Sequence, residues 1–305
     1  MTFQIKILGN NSAIPAHDRN QSAQLIQLDS QYVLIDCGEG TQIQLARQNI
    51  KTGRIKTILI SHLHGDHYFG LIGLISTMHL FNRKNPLNIF GPPPLQKILE
   101  LQLEASETRL SFPLHFVPLS HTGIREIYSE DQFSIQAFPL KHGIACYGFL
   151  VKEKPKQWRI NKDVLPEGMK IQEMLVLKNG HNVLNDQGEI KYSLQEYTLP
   201  PRPQRSYAYC SDTSYSESII PFIRGVDILY HEATFTKDMK DRAALTHHST
   251  AAEAATIAKL AEVKSLLLGH YSTRYKDPIP LLEEAKTIFF ESYLSLEGET
   301  IYLAE

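Results

Sequence analysis

The sequence predicts an α/β protein in which two β-rich layers are covered on their outer faces by helices. Three observations favour this class. Strand-like and helix-like runs alternate over the first half of the chain, the alternation returns after residue 205, and a segment rich in proline and glycine separates the two halves. Each half needs a second layer against which to bury its apolar face, so the halves are expected to pack together. With 305 residues, 42% of them hydrophobic, the chain is long enough for a full core.

The predicted strands are short apolar runs bounded by turn-forming residues. The run at 57–60 matters most for function, because a histidine-rich loop follows it directly. The strands are predicted at residues 3–8, 24–28, 32–35, 57–60, 87–90, 115–119, 133–138, 147–151, 207–210, 227–231, 265–269 and 300–303.

The predicted helices lie between these strands. The best-marked one begins at Thr250, which with Glu253 has the spacing of a capping box and precedes an alanine-rich run. The helices are predicted at residues 41–49, 68–80, 94–106, 216–223, 250–261 and 279–290.

Residues 152–205 interrupt this pattern. Their eight prolines and glycines argue against continuous helices or strands. The segment carries ten basic and seven acidic residues, although the whole chain has a formal charge of −2. It is either a solvated loop or small lobe with incidental charge, or an arm that contacts a polyanion. Charge alone does not separate these two interpretations.

Composition limits the partners and the compartment. The 31 basic and 33 acidic residues nearly balance, so any nucleic-acid site must be local. No signal sequence and no apolar run of roughly 20 residues is evident, so no membrane contact is predicted. Cys37, Cys146 and Cys210 are far apart and lie in or beside strand-like runs. They are expected to be buried, reduced residues of a cytoplasmic protein.

Residues 61–67, Ser-His-Leu-His-Gly-Asp-His, place three imidazoles and a carboxylate directly after a strand-like run. These are ligands that Zn²⁺ prefers, although Mn²⁺ is also compatible with them. Residues two apart on an extended segment point the same way, so His62 and His64 are expected to share one ion. Asp66 and His67 are expected to face a second ion. A surface loop with chance histidines is the alternative, and the position between a strand and a helix disfavours it.

Three distant residues share one position, the end of an apolar run: His142, Asp212 and His270. Strand ends gathered at one edge of a sheet converge even when they are far apart in sequence. The simplest assignment gives His142 to the first ion and His270 to the second, with Asp212 bridging both. Any one of them alone would be better explained as a structural polar residue. The predicted metal ligands are His62, His64, Asp66, His67, His142, Asp212 and His270.

A second polar set lies at residues 231–234 and 246–250. A carboxylate partner such as Glu232 would raise the pKa of His248 and hold it protonated. His248 is therefore predicted to donate a proton to a leaving group. His247 is interpreted as a structural polar residue at the helix entry, which is also the alternative for His248.

Several of these segments together resemble the metallo-β-lactamase superfamily and, more narrowly, its ribonuclease Z family of tRNA 3′-processing endonucleases. The matching segments are residues 15–20, 36–42, 61–67, 231–234, 248–250 and 269–275. The resemblance implies one metallo-β-lactamase-like domain over residues 1–305, an αββα sandwich of two mixed sheets flanked by helices. It also implies that residues 152–205 form an inserted flexible arm that binds tRNA.

The resemblance implies the activity as well: a zinc-dependent endoribonuclease that removes the 3′ trailer from precursor tRNA and leaves a 3′-hydroxyl on the tRNA. It implies two Zn²⁺ per subunit on the seven ligands already named, Asp66 as the general base, and Glu232 with His248 as the proton-donating pair. A homodimer is implied too. Two alternatives are another dinuclear-zinc hydrolase of the superfamily, acting on a small phosphodiester, ester or lactam, and an RNA-binding module without catalysis.

Overall fold

The structure is a computed structural model that describes residues 2–304, which divide into two compact units. The first unit consists of residues 2–128, 135–151 and 206–304, and the second of residues 129–134 and 152–205. Among the described residues, no helix has both the length and the apolar character that crossing a bilayer requires.

The first large sheet has seven strands in the order β18-β1-β2-β3-β4-β5-β6. Neighbouring strands are antiparallel from β18 to β3 and parallel from β3 to β6. Numbered in chain order, its strands are β1 (Phe3–Gly9), β2 (Ala23–Leu28), β3 (Gln31–Ile35), β4 (Ile55–Leu59), β5 (Leu87–Gly91), β6 (Leu114–Pro118) and β18 (Thr300–Tyr302).

The second large sheet also has seven strands, in the order β17-β16-β15-β14-β9-β8-β7. The strands from β14 to β17 are parallel to one another. The members are β7 (Arg125–Ser129), β8 (Phe133–Pro139), β9 (Tyr147–Glu153), β14 (Ser206–Cys210), β15 (Ile228–Glu232), β16 (Ser265–Gly269) and β17 (Ser292–Leu294).

Eight α-helices belong to the first unit, within the described residues, and four of them exceed seven residues. They are α1 (Thr41–Arg47), α2 (Gly65–Tyr68), α3 (Leu71–Leu80), α4 (Pro94–Ala105), α7 (Ile220–Ile223), α8 (Lys240–Leu245), α9 (Ala251–Leu260) and α10 (Ile279–Lys286).

The side chains of β14 show how the layers are arranged, because successive residues of a strand point to opposite faces. Ala208 and Cys210 are buried in one apolar cluster with residues of α9 and α10. Tyr207 points the other way and donates a hydrogen bond to Gln24 of β2 in the first sheet. The first sheet packs its outer face against α1, α3 and α4 in a separate cluster. The two sheets therefore face each other, with helices on the outside.

The second unit has a small core of its own, in which Met169, Leu177 and Val183 are buried. Its elements are β10 (Arg159–Ile160), α5 (Ile171–Lys178), β11 (Val183–Leu184), β12 (Ile190–Tyr192), α6 (Leu194–Tyr197) and β13 (Thr198–Leu199). The prediction that this segment lacks continuous elements is wrong at α5. The helix fits because Gly168 and Gly180, both with positive φ, lie on either side of it rather than within it.

All twelve predicted strands are present, with ends that differ by at most two residues. The predicted helix at 68–80 instead begins at Leu71, as α3, and the short helix α2 precedes it. Between the two helices, Gly70 approaches the main chain of Gly38 so closely that a Cβ on Gly70 would lie 2.2 Å from the Gly38 carbonyl oxygen. The predicted helix at 279–290 ends four residues early, at Lys286. Strands β7 and β17 and helix α8 were not predicted.

Candidate metal centre

The candidate site lies where strands end. The histidine loop follows β4, and Asp36 follows β3 in the same sheet. Asp212 follows β14 and His270 follows β16 in the second sheet, where β14, β15 and β16 run parallel. Parallel strands bring their carboxyl ends to one edge, so side chains distant in sequence meet there.

The first group of donor atoms comes from His62, His64, His142 and Asp212, and these atoms all lie within 4.8 Å of one another. His64 Nδ1 is 3.1 Å from Nε2 of His62 and 3.1 Å from Nε2 of His142. Asp212 contributes Oδ2, which is 3.5 Å from His62 Nε2.

The second group comes from Asp66, His67 and His270, all of them buried. Asp66 Oδ2 is 3.5 Å from Nε2 of His67 and 3.5 Å from Nε2 of His270. The other oxygen of Asp212, Oδ1, is 3.3 Å from His67 Nε2 and 3.2 Å from His270 Nε2. Asp212 therefore presents one carboxylate oxygen to each group. The structure brings together all seven residues that the sequence analysis singled out as ligands.

The hydrogen bonds at Nδ1 determine which imidazole nitrogen carries a lone pair. Asp36 Oδ2 is 2.8 Å from His67 Nδ1 and can only accept, so His67 carries its proton there. The Thr234 hydroxyl donates to Glu232, so it accepts from His270 Nδ1 at 3.0 Å. The carbonyl oxygen of His247 likewise accepts from His142 Nδ1 at 3.0 Å.

In each of these imidazoles the lone pair is consequently on Nε2, which faces the cluster. The Nε2 atoms of His67 and His270 are buried and have no hydrogen-bond partner among residues 2–304. An unpaired buried polar atom is costly, and a cation would remove that cost. Donor atoms on one tetrahedral Zn²⁺ lie about 3.3 Å apart, given Zn–N distances of about 2.0 Å. The observed spacings of 3.1–3.5 Å therefore fit a divalent metal ion.

The charges in the cluster also favour a cation. Burial, and then the neighbouring His67, lower the pKa of His62 to about 4, so His62 is in the neutral form that binds metals. Burial opposes charge on His67 as well, but the Asp212 and Asp66 carboxylates outweigh it and raise the pKa of His67, so they favour a positive charge at its Nε2 whether a proton or a metal ion supplies it. The cluster is thus a buried position with excess negative charge.

Asp36 was not assigned a role from the sequence, although it lies in a matching segment. Its Oδ1 accepts from the Ser61 main-chain N–H at 2.8 Å, and its Oδ2 accepts from the hydroxyls of Ser61 and Tyr209 at 2.9 and 2.8 Å. These bonds fix the carboxylate that orients His67. Thr234 does the same for His270. The sequence signals for these two residues were their positions at or near a strand end and within the matching segments 36–42 and 231–234.

His248 and Glu232 form a separate pair beside the cluster. His248 Nδ1 is 2.9 Å from Glu232 Oε1, which also accepts from the Thr213 main-chain N–H at 2.8 Å. Burial opposes charge on His248, but the Glu232 carboxylate outweighs it and raises the pKa of His248 to about 9. The imidazole therefore holds a proton at neutral pH.

Comparison with known proteins gives the family. A family model described as "Anti-Pycsar protein Apyc1" matches residues 3–175, more than half of the chain, so the chain belongs to that protein family. A ribonuclease Z of Cytophaga hutchinsonii is 48% identical over 305 residues, which are 100% of this chain and 97% of the relative. The chain belongs to the ribonuclease Z family. The Apyc1 match ends before Asp212, Glu232, His248 and His270, whereas the ribonuclease Z match includes them.

Other members and solved structures agree with the ribonuclease Z assignment. The ribonuclease Z of Bacteroides thetaiotaomicron is 40% identical over 98% of this chain and 95% of its own length. The short form of human tRNase Z is 28% identical, with a TM-score of 0.72 and 98% of each chain covered. A Bacillus subtilis protein of metallo-β-lactamase fold, 19% identical, shares the fold with a TM-score of 0.71 over 99% of this chain and 100% of its own. The predicted αββα metallo-β-lactamase fold is confirmed.

Proposed function

We propose that this ribonuclease Z cleaves the 3′ trailer from precursor tRNA by hydrolysing one phosphodiester bond and leaves a 3′-hydroxyl on the tRNA. The full-length identity of 48% to a named ribonuclease Z carries the proposal. The convergence of seven donor side chains beside a protonated histidine supports it, because phosphodiester hydrolysis needs both charge neutralisation and a proton for the leaving oxygen.

We further propose two Zn²⁺ per subunit, with Mn²⁺ as the alternative. His62, His64 and His142 would hold one ion, Asp66, His67 and His270 the other, and Asp212 both. When bound, such ions lower the pKa of water and neutralise charge on phosphate oxygens.

The side chains of the chain itself would handle the protons. Asp66, whose Oδ2 is fixed by the Ala13 main-chain N–H at 2.8 Å, would take the proton of the attacking water. His248 would deliver its proton to the departing 3′ oxygen, and Glu232 would keep His248 protonated below about pH 9. Thr213 and Thr234 hold both oxygens of Glu232, so the pair is positioned before substrate arrives.

The second unit is proposed to be the tRNA-binding arm, and the protein to act in the cytoplasm. A cavity of about 750 Å³ within the second unit is lined by Trp158, Arg159, Lys162 and Lys178 among others. An aromatic ring among cations suits an RNA surface, on which bases stack and phosphates bind cations. Contacts of this kind weaken as salt concentration rises.

A homodimer is also proposed, and exposed apolar side chains of α1 and α3 support it. Ile43 is 54% exposed, Leu80 is 79% exposed and the adjoining Phe81 is 76% exposed. Clusters of this kind on a folded protein mark interaction surfaces. A Phe81→Glu variant should shift the mass measured by analytical ultracentrifugation from dimer to monomer, and an unchanged mass would locate the contact elsewhere.

The decisive experiment is incubation with a precursor tRNA bearing a 3′ trailer, with the cut mapped to the nucleotide. Wild-type protein should cut once and stop when a chelator is added. The Lys162→Glu/Lys178→Glu variant should cut precursor tRNA more slowly while still hydrolysing a small chromogenic phosphodiester. Equal loss on both substrates would argue that the second unit is structural, and a wild-type protein that cuts only the small substrate would favour the alternative hydrolase.

A further inference from the structure

A cavity of about 310 Å³ adjoins the metal centre on the side of His248. Its wall includes the side chains of Arg242 and Arg274, together with Ser12 and Ser272. Ser12 and Ser272 are buried, whereas both arginines are exposed at the cavity mouth. The metal ligands themselves do not line this cavity, so it is a neighbouring space and not the centre itself.

The two guanidinium groups are available for a ligand. Among residues 2–304, neither Arg242 nor Arg274 forms an ion pair with a carboxylate. Some other arginines of the first unit are engaged: Arg19 bonds Asn11 and a carbonyl oxygen, and Arg224 pairs with Glu262. Two unpaired guanidinium groups at one cavity form a site for an anion that offers two oxygens to a guanidinium group. The phosphates of the proposed RNA substrate are anions of this kind.

The position of His248 decides which phosphate this is. The inference rests on the proposed function, in which His248 donates its proton to the 3′ oxygen that remains on the tRNA. A cavity with His248 in its wall therefore lies next to the ribose that carries this oxygen. The nearest anion on that side of the reacting bond is the 5′-phosphate of the same nucleotide.

We infer that Arg242, with Arg274 beside it, binds the phosphate on the 5′ side of the last tRNA nucleotide and so positions that nucleotide for cleavage. Arg242 lies on α8, an element that the sequence analysis did not find, and it lines the cavity together with His248, which follows the end of α8 by three residues. Arg242 is thus a substrate-binding residue, and the helix that positions it carries none of the candidate metal ligands. The small cavity would accept one nucleotide and not a duplex.

The test neutralises the phosphate and the arginine separately and then together. A precursor tRNA carrying one methylphosphonate, which is uncharged, at the linkage 5′ of its last tRNA nucleotide should lose roughly ten- to hundredfold in kcat/KM with wild-type protein. Arg242→Ala should lose a similar factor on the ordinary substrate. The variant and the methylphosphonate together should lose little more than either alone, because both remove the same contact.

Three controls separate this role from a structural one. Hydrolysis of a small chromogenic phosphodiester, which has no such phosphate, should be unchanged in Arg242→Ala. Arg242→Lys should restore part of the activity, and Arg224→Ala, which removes an exposed arginine outside the cavity, should behave as wild type. Binding of a mature tRNA ending at this nucleotide should weaken in Arg242→Ala, with a salt dependence reduced by about one ion.

Several outcomes would overturn the inference. Unchanged cleavage of precursor tRNA by Arg242→Ala would do so, as would losses that multiply in the combined experiment or equal loss on the small substrate. A wild-type protein that does not cut precursor tRNA at all would instead overturn the proposed function, and this inference with it.

Discussion

The metal centre and the second unit both bury carboxylates, but they compensate them differently. Glu153 in the second unit has a fully buried side chain and contacts Arg205 at 2.6 Å and Lys156 at 2.7 Å. Asp212 in the centre is also buried, but besides the Ser211 hydroxyl the side-chain groups that face it are imidazole nitrogens, including His67 Nε2 at 3.3 Å. The groups that compensate Glu153 are permanently charged, whereas an imidazole that faces Asp212 is positive only when it is protonated and otherwise offers a lone pair to a metal ion.

The largest effect is expected from Asp212→Ala. Asp212 presents an oxygen to each donor group, so its loss should weaken both metal sites together. We expect loss of both ions by elemental analysis and a fall in kcat on the order of 10³-fold or more, since the metals supply several kcal/mol of charge stabilisation. If the variant keeps two ions, Asp212 does not hold both of them. In that case the proposed difference between Asp212 and Glu153, that only Asp212 needs a metal ion, is wrong.

Glu153→Gln should have the opposite effect to Asp212→Ala: it should lower the stability of the fold and leave metal binding and hydrolysis intact. Arg205 would remain buried without its carboxylate, which costs about 3–5 kcal/mol in the free energy of unfolding. Metal content and hydrolysis of a small phosphodiester should be preserved at low temperature. The matched control is Glu262→Gln, which breaks an exposed pair with Arg224 and should cost less than about 1 kcal/mol in urea unfolding. Equal costs for the two variants would contradict the comparison.

Asp36→Asn should have an intermediate effect confined to the centre. The variant keeps the shape of the side chain but removes the charge that orients His67 and fixes its proton on Nδ1. Loss of a residue that hydrogen-bonds a metal-binding histidine lowers metal affinity by roughly 10- to 100-fold. The measurement is competition with a chelator, and the ion lost first should be the one held by Asp66, His67 and His270. Thr234→Val should weaken the same ion through His270.

The pH dependence of stability should distinguish the two regions. Burial opposes ionisation of Glu153, but Arg205 and Lys156 outweigh it and lower the pKa of Glu153 below its ordinary 4.5. The unfolded chain therefore binds this proton more readily, so the pair stabilises the fold above about pH 4.5 and loses its contribution as the pH falls through the lower folded value. The difference in urea midpoint between wild type and Glu153→Gln should shrink on acidification. A constant difference would show that the ion pair is not the cause.

The smallest expected effect is a difference between the two metal positions. The group of His62, His64 and His142 includes an exposed and a half-buried imidazole, whereas the group of Asp66, His67 and His270 is entirely buried. A chelator should therefore remove the ions in two steps, with the exposed group emptied first. His64→Ala should abolish only the first step in native mass spectrometry. A single step in wild type would mean that the two positions do not differ in accessibility.

The candidate ligand residues could be proposed from the sequence because the histidine loop and each of the distant residues follow an apolar run, and that pattern is local in the sequence. Asp212 and His270 show this well, since a buried strand precedes each of them directly. The role of Asp36 could not be predicted in the same way. It depends on contacts with Ser61, His67 and Tyr209, which come from three other segments of the chain.

The elements that were missed have separate explanations. Helix α8 is short and polar, and its apolar contact is essentially Ala243, so no helical periodicity marks it. The approach of Gly70 to Gly38, between α2 and α3, is a contact between residues 32 positions apart, which no local pattern marks. Helix α5 was missed because proline and glycine were counted over the whole segment, although none lies within the helix.

Asp36 and His270 share a left-handed backbone conformation that affects the expected rate of metal uptake. Both have positive φ, 55° and 58°, a conformation that costs a non-glycine residue on the order of 1 kcal/mol or more. The folded chain therefore holds the turns that aim these side chains inward before any ion binds. We expect metal uptake to be limited by the rate at which a hydrated ion sheds its waters, and not by any rearrangement of the polypeptide.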